Sequence, residues 1–496
     1  MKQAIAAVLA LMLLLSGFAR AQNADPENAI VLPEPEAVPA EPIIGDYAEP
    51  IVREVTLYYP ADDGATLTTL TRAISAERGD QLIEAVLREL LEASYRRSPI
   101  RNWSPDLYLI DAEFACGTVT VNLSLDAAVR QSDFSYLLLC RSIAETLLHM
   151  EGIHAVNILT ADRSEMLCSL PAGVFTASSE NPNADYLQLQ SESERFHEGV
   201  TAVHRNALLY FPARSGSYLL PEVRSLSLSA GEDIVIALLK TLSGGSAQTD
   251  CCFSAVPANL TLTHSVPVIR TDDSGRRVIE LDLTSTLINY LALVGSEPWQ
   301  LYASITLSAC SFVPEIDGLC LYVDGNPVSE CLIGKEVLHF ADGLLRRQDF
   351  EHLIGSCAPL YFANDAGGLT RQSGAISRSG ANSARRILAG MIAAEPPAEG
   401  GLRPVFPEGI LPSDILGVSV ENGVAKVNLS AGFYAACQVL DAEAERLLIY
   451  AMVNALCELD QVGSVRFFVE GSAVESLSRD IYLKSALMPN PGIVSK

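Results

Sequence analysis

Seven histidines and eleven cysteines are the residues best suited to hold a metal or act as nucleophiles. His149 and His154 stand five apart, whereas ligands sharing one helix face need a spacing of three or four. His149 falls at the end of a helical pattern, where a partly charged imidazole suits the helix dipole. The histidines therefore read as structural. The cysteines show no C-x-x-C, and Cys251 and Cys252 are adjacent, a spacing seldom bridged. Cys140, Cys310, Cys437 and Cys457 have apolar helical neighbours and read as buried thiols. Cys116, at a turn, is the candidate for an exposed thiol. A Cys320–Cys331 bridge is one pairing to test against the reading that both stay free. An odd count leaves at least one cysteine free or intermolecular. No G-x-S-x-G, H-E-x-x-H, Walker-type or EF-hand loop occurs. Asp272-Asp273-Ser274-Gly275 reads as a hairpin turn, and Gly244-Gly245 has no phosphate-binding frame around it. Acids are abundant, yet no pair stands out as a glycosidase dyad. The catalytic, cofactor and metal sets are thus all empty, and the chain reads as a non-enzyme.

What does recur is a tetrapeptide: Val121-Asn122-Leu123-Ser124, Leu281-Asp282-Leu283-Thr284 and Val427-Asn428-Leu429-Ser430. Strict alternation makes each a strand with one buried and one wet face. Asn422-Gly423, and Cys116-Gly117 at the same offset, predict that each strand is the second arm of a hairpin. The first arms fall over Leu107 to Phe114, Leu260 to Arg270 and Ile415 to Val420. The series Asn122, Asp282, Asn428 is either an interaction face or a polar strand face; the second reading is favoured.

The surrounding elements repeat too. Leu57-Tyr58-Tyr59, Leu209-Tyr210-Phe211 and Leu360-Tyr361-Phe362 read as opening strands, with aromatics destined for the core. Twenty-three residues after each leucine, Asp80, Glu232 or Ser383 opens a helical stripe, with Asp80 and Ser383 as N-caps. Second strands are expected over Thr68 to Ser75 and Tyr218 to Leu228. A later helix covers about 136–149, 299–312 and 443–457 and runs into a last strand at Ala155 to Leu159, Leu319 to Val323 and Val465 to Val469. In register, Cys310 occupies the place of Leu147 and Leu456.

The fold class is α+β: three tandem two-layer domains, each a mixed sheet of four or five strands covered by two helices. Residues 1–21 read as a signal peptide, with Lys2, an apolar run from Ala4 to Leu15 and the Ala19-Arg20-Ala21 cleavage site. Phe18 stands where a lipobox needs cysteine, so no lipid anchor is predicted. Residues 22–53 are an acidic, proline-rich linker. Domain 1 spans 54–176, a polar linker 177–204, domain 2 205–335, a connector 336–356, domain 3 357–475 and a tail 476–496. The connector carries the pattern Val337, Leu338, Phe340, Leu344, Leu345, which suggests a helix. A net charge of −26 excludes nucleic acid as a partner.

The three units resemble the GerMN domain of GerM-type sporulation and germination proteins. The resemblance rests on the aromatic opening strand, the helix after it, the V-N-L-S strand with its glycine turn, and the second helix running into Gly152-Ile153-His154-Ala155-Val156 or Val462-Gly463-Ser464-Val465. It is clearest in units one and three. It implies non-enzymatic, extracytoplasmic envelope domains that act as scaffolding in sporulation or germination and use no cofactor. The implied partners are other envelope proteins and further copies of the chain. Binding of a cell-wall polymer or small ligand is the alternative, and membrane contact enters only if the N-terminal segment stays uncleaved.

Overall fold

Alternating apolar residues make each shared tetrapeptide the centre of a sheet in the computed structural model, which describes residues 45–495 apart from 62–64, 78–80, 98–106, 125–131, 178–181, 215–216, 258–262, 264–265, 294–295, 379–381, 398–399 and 479–480. The signal segment, most of the acidic linker, Asp80 and Leu260 lie outside the described residues.

One order of elements occurs three times. In the first unit Ile51–Pro60 pairs antiparallel with Leu67–Ala76, followed by helix Leu82–Arg97. The hairpin Leu109–Ala115 and Thr118–Leu123 comes next, then helix Asp133–Leu148. Strand Ala155–Thr160 returns parallel to Thr118–Leu123. The middle unit runs Val203–Pro212, Leu219–Leu228, helix Ile234–Ser243, hairpin Val268–Thr271 and Arg277–Leu283, helices Ser285–Leu293 and Pro298–Phe312, and parallel strand Gly318–Val323. The third runs Gly355–Ala363, Leu369–Ser377, helix Ser383–Ala393, hairpin Ile415–Glu421 and Val424–Leu429, helices Ala431–Cys437 and Ala442–Leu456, and parallel strand Ser464–Val469. A helix must intervene because a parallel return needs a long crossover.

The motif strand is hydrogen-bonded on both sides, so its inward residues lose all contact with water. Val119, Val121, Leu123, Leu281, Leu283, Ala425, Val427 and Leu429 are fully buried. Cys116-Gly117 and Asn422-Gly423 both have two consecutive positive φ values, 48° and 75° in one and 50° and 74° in the other. That is the backbone a two-residue hairpin turn demands.

The fold is α+β with mixed sheets of four or five strands, but each opening strand pair forms its own two-stranded sheet beside the mixed one. The third unit has a second opening strand, Leu369–Ser377, that the sequence does not announce. Its mid-strand Gly374 explains why: a Cβ there would sit 2.1 Å from Leu360 Cδ1, so close packing removes the side chain that would signal a strand.

Several expectations need correction. The stretch 177–204 carries helix Pro182–His197, built from leucine, glutamine and glutamate and held by Tyr186 against Phe134, ring centroids 5.1 Å apart. The connector 336–356 is not one helix. Glu336–His339 is a strand paired with Glu330–Ile333, and only Arg347–Phe350 is α-helical. Its apolar residues alternate between surface Val337 and inward Leu338, a strand period. The linker 22–53 is folded at its end, because Tyr47–Ala48 pairs with Ser419–Val420. Asn382, not Ser383, caps its helix by accepting from Arg385 N–H. Helix Ile234–Ser243, for which no cap is expected above, is capped by Asp233. Cys116 is no exposed thiol: it is bonded to Cys357. Cys320 and Cys331 are both free.

Candidate functional site: the junction of the three units

The recurring polar positions of the motif strands brace the fold. Asn122 Oδ1 accepts from Asp162 N–H at 3.0 Å and its Nδ2 donates to the Asp162 carboxylate at 2.8 Å. Asp282 accepts from Gly325 N–H at 3.0 Å, and Asn428 accepts from Gly471 N–H at 2.8 Å. Each side chain thus ties the motif strand to the turn after its parallel neighbour. His149 has a structural place as well: Glu145 O lies 2.7 Å from its Nδ1, and Tyr58 Oη lies 3.1 Å from its Nε2. Leu57, Leu209 and Leu360 are buried as expected, but Tyr58 and Tyr59 are only half-buried. Cys310, like Leu147 and Leu456, is fully buried, and burial pushes its thiol up to about 12. No signal in the sequence marked a second device. Hydroxyls on the crossover helices clasp the opening strands, with Thr146 accepting from Tyr58 N–H at 2.9 Å and Ser308 from Tyr210 N–H at 3.0 Å. They satisfy backbone groups on a strand edge that has no neighbouring strand there.

The residues that set this molecule apart lie where the units meet. Arg347, in the short helix of the connector, is 3% exposed. Its Nη2 donates to Glu113 of the first unit at 2.9 Å, and its Nη1 donates to Tyr210 Oη and Ser311 Oγ of the middle unit, both at 3.1 Å. Its Nε faces Glu351 at 3.4 Å, and Arg378 of the third unit reaches the other Glu113 oxygen at 3.2 Å. Burial works to lower the guanidinium pKa, but Tyr210, Glu113 and Glu351 outweigh it and hold it above the usual value. Burial also raises the carboxyl pKa of Asp111 and of Glu351, against the opposing pull of Arg347.

Two further ties join the first and third units. The Cys116–Cys357 disulfide links the first hairpin turn to the third opening strand across 241 residues of sequence. The segment before the first unit lies along the edge of the third sheet. There Glu49 N–H donates to Val420 O at 3.0 Å, Asn422 N–H to the Glu49 carboxylate at 2.9 Å, and Asn382 Nδ2 to Tyr47 O at 3.2 Å. Asp46 pairs with Arg385. Between the first and middle units, Glu315 N–H donates to Ser164 O at 2.7 Å and Arg163 faces Asp317 at 3.4 Å. A cleft of about 920 Å³ opens between the first and third units, with Arg53, Glu54, His149, Cys357, Arg378 and Glu458 among its lining. Its charges are mixed. Among the described residues no group of three or more His, Cys, Asp or Glu side chains is placed to hold a metal ion. The arrangement locks units together.

Residues 56–164 and 359–475 match the family model Germane, described as sporulation and spore germination. These two segments of the chain are therefore of the GerMN type. The match falls on the first and third units, the pair tied by the disulfide. No curated protein matches the chain. Among solved structures, the tandem GerMN domains of the sporulation protein GerM from Bacillus subtilis are 17% identical, with 58% of this chain and 98% of that chain covered and a TM-score of 0.23. A putative lipoprotein from Clostridium perfringens is 18% identical, with 26% of this chain and 89% of that chain covered and a TM-score of 0.18. At such scores these likenesses carry no argument, and the GerMN-type assignment is confined to the two matched segments. Among the described residues no helix is long and apolar enough to cross a membrane.

Proposed function

We propose that this is a non-enzymatic structural protein of the cell envelope that works in sporulation or germination through association of its GerMN-type units with other envelope proteins. The observation that carries the reading is the pair of family segments locked to each other and to the middle unit around Arg347. A buried, fully bonded arginine fixes relative positions, which suits a scaffold more than a device that must open. We take the middle unit, 205–335, to be a third and diverged copy, beside copies at 54–176 and 357–475. The disulfide supports an extracytoplasmic location, because such bonds persist in oxidising compartments. The decisive measurement is heat-resistant spore yield after deletion of the gene. A large fall, restored by the full-length gene, is expected. An unchanged yield in a spore-forming host would remove sporulation from the proposal. Protein that stays monomeric at high concentration and finds no partner in crosslinked envelopes would remove the scaffold.

A further inference from the structure

The three motif strands each pair in parallel with a closing strand, and the registers put equivalent positions side by side. On the polar faces these partners are Thr120 with Asn157, Glu280 with Cys320, and Lys426 with Arg466. Only the third unit sets two cations directly opposite each other here. Like charges at facing positions destabilise a sheet, and Glu421 beside Lys426 offsets part of that cost here. A third cation joins them. The C-terminal segment pairs Leu487 with Val465 and brings Lys484 to the same spot. Lys426, Arg466 and Lys484 line a concavity of about 320 Å³ together with Glu421, Asn422, Val424 and Ala486.

The lining therefore holds three cations and one carboxylate in a chain whose net charge is −26. Lys426 is held by Glu421 at 2.9 Å, and Lys484 by Glu475 outside the lining. The Arg466 guanidinium lies over the Phe468 ring, 4.9 Å from its centroid. A planar fork beside two ammonium groups matches the oxygens of one anionic group. We infer that this concavity binds a single carboxylate or phosphate group, with Glu421 as the internal carboxylate that the ligand displaces from Lys426. The site is separate from the unit junction and does not depend on the scaffold proposal.

The test is calorimetric titration of the full chain with inorganic phosphate and, separately, with acetate, at low chloride. Saturable one-to-one binding is expected, weakened by about tenfold or more in Arg466→Gln and in Lys484→Glu, since each removes a charge-assisted contact. Glu421→Gln is expected to tighten binding severalfold, because the competitor for Lys426 is gone; a merely structural carboxylate would not give that sign. Phosphate alone binding identifies a phosphate ester as the ligand class, acetate alone a carboxylate, and both a site that reads charge. No saturable binding of either, unchanged affinity in the two cation variants, or unchanged or weaker binding in Glu421→Gln overturns the inference.

Discussion

The crossover helix of the middle unit is buried all round, while its counterparts at the two ends are not. Every residue from Trp299 to Phe312 is buried. In the first unit Arg141 and Glu145 keep partial exposure, and in the third Glu443 and Arg446 do. The same contrast holds for the opening strands: Tyr210 and Phe211 are buried, whereas Tyr58 and Tyr59 are half-buried. The middle core also takes in Ala115, Ala155 and Val174 from the first unit and Ala375 from the third. A helix that is polar on one side belongs at a surface, and one buried on all sides belongs at a centre. The middle unit is the hub: its crossover helix has no free face, and there Cys310 replaces the leucine of its siblings. That is where the family segments, 56–164 and 359–475, leave their gap.

The hub comparison breaks hardest at Arg347. Arg347→Ala leaves the partly buried Glu113 with Arg378 and strips Tyr210 and Ser311 of this donor. A loss of about 3–5 kcal/mol is expected, the range for breaking one side of a buried pair, read by urea unfolding. An effect below about 1 kcal/mol, the level of an exposed pair, would mean that the hub is not held here. Next is the disulfide. Cys116→Ser with Cys357→Ser is expected to cost about 2–4 kcal/mol, and the same loss should follow reduction of the unaltered protein. The buried thiols are not expected to replace the bond, because burial pushes Cys437 up to about 12 and Cys331 up to about 11 and so suppresses the thiolate.

Smaller effects sharpen the likeness among the units. Removing a brace by Asn428→Ala or Asp282→Ala is expected to cost about 1 kcal/mol by leaving one N–H without its acceptor. Asn122→Ala should cost more than Asp282→Ala, since Asn122 both accepts and donates. Equal unfolding shifts in all three would contradict that order. The pH response should separate the junction from the third unit. At the junction burial raises Asp111 and Glu351, so their contribution is present below the ordinary carboxylate pKa and is lost as pH rises through the raised value. In the third unit burial works to raise Glu458, but hydrogen bonds from Arg371 and Tyr361 prevail and lower it; the Ser430 hydroxyl and Leu411 N–H lower Asp414. Those contributions are present above the ordinary carboxylate pKa and are lost as pH falls through the lowered values. Acidification should therefore speed amide exchange around Ser430 and Glu458 before it does so around Arg347. The reverse order would show that these carboxylates do not govern the two regions.

Local chemistry was legible wherever a residue's job is set by its immediate neighbours. Alternation placed the three motif strands, glycine turns placed two hairpins, and register placed Cys310 among buried leucines. Local pattern failed where a distant segment decides the outcome. A turn cysteine looks exposed until a strand 241 residues away meets it. The alternating Val337 and Leu338 look helical until Glu330–Ile333 pairs beside them. An acidic, proline-rich stretch looks like spacer until Asp46 and Glu49 find Arg385 and Asn422 N–H.

By itself the sequence determined the α+β class, the repeated order of elements and the GerMN-type resemblance of the first and third units, because backbone propensity and apolar period act over a few residues. Only the tertiary structure decided that Arg347 is a hub, that Cys116 has a partner and that Lys426, Arg466 and Lys484 share one concavity. Those facts depend on which faces meet across hundreds of residues, and pairing between distant segments leaves no mark in local periodicity.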